Sequence, residues 1–337
     1  MSINNYFYYS NIYMKNLMHT FSKNFIYPLL LIIFLGCNAS APEVYLYSFF
    51  KKNGQDGLHL AYSFDALEWE ALKGNQSFII PELGKNKLMR DPCIIEGPDN
   101  KFHMVWTIGW GEKSIGYANS TDLIHWSEQK LIPVMEHEAD ALNCWAPELF
   151  YDDTSGQYLI YWSTTIPGRF PKTDLPQDNK NHRMYYVTTN DFQSFSDTKL
   201  FFDQGFNVID GTIQKIDSRY YLFLKNETKY PKPEKNIRIA TSKNLLGAYS
   251  QASEPITDDW VEGPSAIETP EGWIVYYDEY TRENMGAVLS TDLKNWKDIS
   301  DQISFPEGTR HGTVFKVNRP IFDQLFQYSE LSQSAEK

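Results

Sequence analysis

Cysteine is scarce, with three residues in 337, at positions 37, 93 and 144. So few cannot build a disulfide framework, and none share the short spacing of a zinc site. Cys93 and Cys144 can pair or stay as buried thiols, and the sequence leaves both open. Basic clusters are missing too: 31 Lys and Arg against 43 Asp and Glu give a net charge of −12. Nucleic-acid binding rests on neutralising phosphates, so this balance excludes that partner. No apolar run approaches the ~20 residues that cross a bilayer as a helix. Helical periodicity is nearly absent. What the chain has instead is aromatic material, 22 Tyr, 21 Phe and 9 Trp, within a 42% hydrophobic composition. That is enough for a substantial core, and aromatics suit strands.

The longest apolar run lies within FIYPLLLIIFLGCNAS, residues 25–40. Lys15 and Lys23 precede it, giving the basic and apolar regions of an export signal. It ends in Leu35-Gly36-Cys37, which resembles a bacterial lipoprotein box with Phe34 in place of a smaller aliphatic residue. Residues 1–36 are therefore read as the signal, possessing an over-long start if Met14-Lys15 is the true beginning, and 37–42 as a linker behind a lipidated Cys37. The expected location is the bacterial cell envelope, with membrane contact only through that lipid anchor.

A short phrase recurs in the rest of the chain. SFDALEW (63–69), STDLIHW (120–126), TNDFQSF (189–195) and STDLKNW (290–296) share it, and SKNLLGAY (242–249) is a degenerate fifth copy. Each reads as a polar turn between two strands with an aromatic beneath it. A second element alternates with the first: DPCIIEG from Asp91, APELFYD from Ala146, DGTIQKI from Asp210, EGPSAIE from Glu262 and HGTVFKV from His311. Most copies precede an aromatic strand such as KFHMVWT or RYYLFLK. Five four-stranded units predict an all-β, five-bladed propeller over residues 43–317, followed by a tail, 318–337. The last unit lacks outer strands and the first lacks an inner one. Pairing the C-terminal inner strand with the N-terminal strands would close the ring and leave no open edge.

In such a ring the inner strands begin at one end of the axis. Asp91, Asp210 and Glu262 would then occupy equivalent starts in three blades, with His311 in a fourth and Trp145 and Glu148 in the fifth. Clustered, partly buried carboxylates raise one another's pKa, a cost met most often at functional sites. Two carboxyls with separated pKa values are the equipment of glycoside hydrolysis. Trp106, Trp110, Trp145 and Trp162 are candidates for the pocket wall, two of them being expected to serve packing between blades instead. The long insertion from Thr164 to Tyr186 brings His182 and Arg183 to its end, where either can border the pocket.

The motifs R-D-P, W-A-P-E, I-D-G, E-G-P and a late H-G, in that order, resemble glycoside hydrolase family 43. The resemblance implies a five-bladed propeller that hydrolyses glycosidic bonds with inversion, as α-L-arabinofuranosidases and β-xylosidases do. It implies Asp91 as general base, Asp210 as pKa modulator and Glu262 as general acid. Arg282, Trp145, Glu148, Trp110, Trp106 and His311 would meet the substrate. No cofactor is required, though His311 matches an axial histidine near a calcium ion or water cluster. The expected partner is an oligosaccharide or polysaccharide, met by a monomer, with exo action favoured through the long insertion. A galactofuranosidase, an anhydro-sugar hydrolase, a mannoside phosphorylase using Arg282 and Arg310, or a non-catalytic glycan-binding lipoprotein are the alternatives. A fructan hydrolase shares R-D-P but needs an N-D-P-N-G stretch that this chain lacks.

Overall fold

The computed structural model describes residues 43–178 and 180–334. Residues 1–42, read from the sequence as an export signal and linker, lie outside them. The first blade takes its inner strand from the far end of the chain: β19 (Gly312–Val317) pairs with β1 (Val44–Phe49), which continues to β2 (His59–Ser63) and β3 (Glu70–Ala71). The seam is antiparallel, running from Val44 opposite Val317 to Phe49 opposite Gly312. Blade two comprises β4 (Arg90–Glu96), β5 (Phe102–Thr107), β6 (Ile115–Ser120) and β7 (Lys130–Ile132). Blade three comprises β8 (Trp145–Asp152), β9 (Gln157–Thr165), β10 (His182–Thr189) and β11 (Lys199–Phe202). Blade four holds β12 (Val208–Ile216), β13 (Arg219–Asn226) and β14 (Asn236–Ser242). Blade five holds β15 (Glu262–Thr269), β16 (Gly272–Glu279), β17 (Asn284–Ser290) and β18 (Lys297–Asp298). Strands β19, β4, β8, β12 and β15 touch in that cyclic order, which makes the hub.

The aromatic strands are two-faced, and each face feeds a different interface between blades. Along β5, Phe102, Met104 and Trp106 pack toward blade one, while Val105 packs toward blade three. Along β9, Leu159 and Tyr161 face blade four, while Tyr158, Ile160 and Trp162 face blade two. The alternation is the period of two that a strand imposes on its side chains. Trp106 lies across from Gly116 in β6, where a Cβ would stand 2.1 Å from the indole. Only glycine leaves room for that ring.

The recurring turns work through their acids. Asp122 Oδ1 accepts from the amides of Ile124 and His125 at 2.9 and 2.7 Å, and Asp65, Asp191 and Asp292 repeat this arrangement. Two departures from the sequence expectation appear. Blade four has three strands, because residues 250–256 follow β14 only through spaced amide bonds from Ser250, Ser253 and Ile256. The expected tail instead forms helix α1 (Arg319–Ser334). Asn318 caps it by accepting from the amide of Ile321 at 3.0 Å. Phe322 and Leu325 then bury against blades one and two, a spacing of helical period hidden by its polar neighbours. Cys93 and Cys144 are free, buried thiols.

Candidate active site

Four inner strands open with the same local device. In β4, Arg90 pairs with Thr107 and Cys93 with Val105, so one extra residue is accommodated in between. Strands β8, β12 and β15 show the same slip, between Trp145 and Glu148, Ile209 and Gly211, and Glu262 and Ser265. At each bulge one residue takes a positive φ: Asp91 at 53°, Ala146 at 45°, Asp210 at 47° and Gly263 at 62°. Pro92, Pro147 and Pro264 follow three of them, where a missing amide hydrogen is tolerated because the ladder is already broken. A positive φ costs an L-residue on the order of 1–2 kcal/mol. It also turns the Asp91 and Asp210 carboxylates out of the packing between blades and into a cavity.

This register corrects one expectation. Glu262 corresponds to Arg90, Trp145 and Ile209, one residue before the bulge, and the position equivalent to Asp91 and Asp210 is Gly263. A side chain there would have to displace His311, since a Cβ on Gly263 would stand 2.2 Å from His311 Cγ. Blade five therefore supplies its acid from the preceding residue.

A cavity of about 480 Å³ at this end of the hub gathers Asp91, Asp210, Glu262, His311, Trp110 and Trp145. Asp91 Oδ2 accepts from Thr107 Oγ1 at 2.8 Å, and its Oδ1 lies 3.4 Å from His311 Nδ1. Burial opposes the Asp91 charge, but His311, Arg90 and Thr107 outweigh it and hold the carboxyl at about 2. Asp210 is pushed the other way, up to about 6, by burial and by the charges of Glu262 and Asp91. Its Oδ2 accepts from the Gly263 amide at 3.1 Å. Burial works against the His311 charge too, yet Asp91 and Asp210 raise its pKa to about 9, so an imidazolium stands at the axis.

Glu262 is held by two cations, Lys225 Nζ at 3.2 Å and Arg310 at 3.2 Å. Arg310 also donates to Asp278 Oδ2 at 2.6 Å, and Lys225 lies 2.7 Å from Glu227. The Lys225 ammonium sits over Tyr280, 4.8 Å from the ring centre. Trp110 and Trp145 make an edge-to-face wall at 5.3 Å, tied by a hydrogen bond from the Trp145 indole to the Trp110 carbonyl.

Several expected residues lie elsewhere. Trp106 is fully buried, as is Trp162, whose indole donates to Thr164; both are packing residues. Arg282 is exposed and paired with Glu279, outside the cavity. Glu148 is buried farther along the hub, accepting from Thr313 at 3.2 Å, and lines a separate space of about 560 Å³. Burial lifts its pKa to about 8, so it is a neutral carboxyl near neutral pH. The long insertion reaches the cavity through Lys180, whose ammonium sits 4.4 Å from the Trp145 ring centre. His182 packs behind Trp145 at 5.1 Å, and Arg183 is buried against Asp203. Cavity residues absent from the sequence expectation include Arg90, Thr107, Lys180, Lys225, Glu227, Tyr280, Lys52 and Asn53. A lysine closing the otherwise apolar strand RYYLFLK was the available signal.

The metal implied for His311 finds little support in its surroundings, where His311 Nδ1 lies 3.4 Å from Asp91 Oδ1. Among the described residues no group of three His, Cys, Asp or Glu is arranged to hold one.

Residues 41–323 match a family described as a probable glycosyl hydrolase domain, the group related to glycoside hydrolase family 43. The chain belongs to that family. An α-L-arabinofuranosidase of Bifidobacterium longum is 26% identical over 246 residues, covering 60% of this chain. The chain spans only 22% of that relative's length. Two solved structures share the family-43 propeller. A family-43 β-1,3-galactosidase with galactodeoxynojirimycin has a TM-score of 0.54 at 14% identity, covering 76% of this chain and 90% of its own. An α-L-arabinofuranosidase from Clostridium thermocellum has a TM-score of 0.52 at 14% identity, covering 76% of this chain and 89% of its own. At that identity they speak for the fold.

Proposed function

We propose that this family-43-related chain is an inverting, exo-acting glycoside hydrolase that removes terminal α-L-arabinofuranosyl or β-D-xylosyl residues. The observation that carries the reading is the opposite treatment of two carboxyls in one cavity, Asp91 pulled down to about 2 and Asp210 pushed up to about 6. Environments that separate two acids assign the base and the proton-holding side. Asp91 is ionised at any working pH and activates the water. Asp210, raised to about 6 by burial and by the charges of Glu262 and Asp91, is the proton-holding carboxyl of the cavity. Glu262 has the longer side chain and delivers a proton to the leaving oxygen, steered by Lys225 and Arg310. Asp210 holds Gly263, and with it the start of β15. Inversion requires room for a water between base and sugar, about 6.5–9.5 Å between the carboxyls.

The arabinofuranosidase relative supports the arabinosyl assignment, and the galactosidase neighbour brings a galactosyl unit in as the second reading. The apolar run ending at Cys37 supports delivery to the cell envelope. Aryl α-L-arabinofuranoside, β-D-xyloside and β-D-galactoside substrates, followed by NMR of the first-formed anomer, test the proposal. Hydrolysis with inversion of one of the first two is expected. Retention, or no turnover of any glycoside, overturns it.

A further inference from the structure

The chain carries a net charge of −12, yet the cavity is lined by five Lys and Arg residues against four carboxylates. Lys225 and Arg310 are used up on Glu227, Glu262 and Asp278. Arg90, Lys52 and Lys180 are not. Among the described residues none of the three has a carboxylate within ion-pair distance, and Lys180 lies instead against the Trp145 ring. The Arg90 guanidinium is nevertheless fixed, lying 4.5 Å from the centre of the Phe50 ring and 4.4 Å from that of Trp110. It donates to Asn53 Oδ1 at 3.1 Å. Arg310 sits 5.5 Å from the centre of the same Phe50 ring. Two guanidiniums are thus held around one buried ring at the cavity's edge, with Lys52 beside them. A stacked arginine keeps most of its donors free and suits a planar or tetrahedral oxyanion.

We infer that the substrate carries an anionic group, a carboxylate or a sulfate ester on the sugar next to the scissile bond, which Arg90 and Lys52 receive. The inference rests on the hydrolase reading and narrows it to acidic glycans. It also gives a reason for a cationic edge on an acidic protein, since an anionic ligand would otherwise meet repulsion on approach.

The test compares disaccharides with the same terminal sugar joined to glucose, glucuronic acid or glucose 6-sulfate. Wild-type kcat/KM for the uronate or the sulfate should exceed that for the neutral disaccharide by at least about tenfold, one charge-assisted contact's worth. The ratio should collapse toward one in Arg90→Gln and shrink as salt rises. Whichever anionic arm is preferred identifies the group. Equal turnover of neutral and charged substrates overturns the inference and leaves the hydrolase reading intact. Turnover that depends on added inorganic phosphate also overturns it, by giving the cationic edge to a free anion. Where no disaccharide is cleaved, calorimetric binding to Glu262→Gln separates the two ideas: tighter binding of the charged sugar supports the anion site, and equal binding rejects it.

Discussion

The Gly263 amide donates to Asp210 across the gap between blades four and five at 3.1 Å, beside the one residue that precedes it, Glu262. Carboxyls 52 positions apart in the sequence are thereby joined through a single backbone bond. On Gly263's other side the His311 ring fills the space of a side chain.

Gly263→Ala tests that joint. Alanine must adopt φ 62° and displace His311 from a contact of 2.2 Å. The expected loss is more than about 1 kcal/mol of stability, with turnover down about a hundredfold because His311 also pairs with Asp91. Urea unfolding and steady-state rates measure both.

Asp210→Asn should change how stability depends on pH. Folding raises the Asp210 pKa from 3.8 to about 6, so the folded chain binds more protons between those values. Its contribution is full below about pH 4 and is lost as pH rises through about 6. Relative to wild type, the variant should gain on the order of 3 kcal/mol across that window. Asp278 rises to about 6 as well and remains in both proteins, so it cancels in the difference. Parallel stability curves would show that Asp210 is not protonated by its surroundings.

The two kinds of tryptophan should separate cleanly. Trp106→Ala empties a fully buried site and should cost about 3–5 kcal/mol. Trp145→Ala removes a half-buried cavity wall. It should raise KM about tenfold and move Tm little, a contrast seen by thermal unfolding beside kinetics.

The ring was legible in the sequence because its cause is local: strand alternation recurs in every blade, and the aspartate turns at 65, 122, 191 and 292 in four of the five. Ring closure followed from two incomplete units. The bulges were less legible. Nothing in EGP announces that Gly263, not Glu262, matches Asp91, because the slot is taken by His311 from 48 positions away. Trp106 and Trp110 look alike on paper, but Trp106 continues the inward parity of β5 while Trp110 lies beyond its end. Lys225 and Arg310 grip Glu262 from two other blades, a pairing that only the closed ring creates. Helix α1 was missed because two buried apolar side chains and one capping Asn carry it.

The division of labour among the carboxyls is tested most directly by varying the leaving group. Glu262→Gln should lose at least about a hundredfold with an alkyl leaving group, the usual scale for a lost general acid. It should lose far less with 2,4-dinitrophenol, which departs without a proton. Asp91→Asn should be crippled on both substrates, since its water remains unactivated. Equal losses on the two substrates for Glu262→Gln, or full activity in either variant, would contradict the assignment.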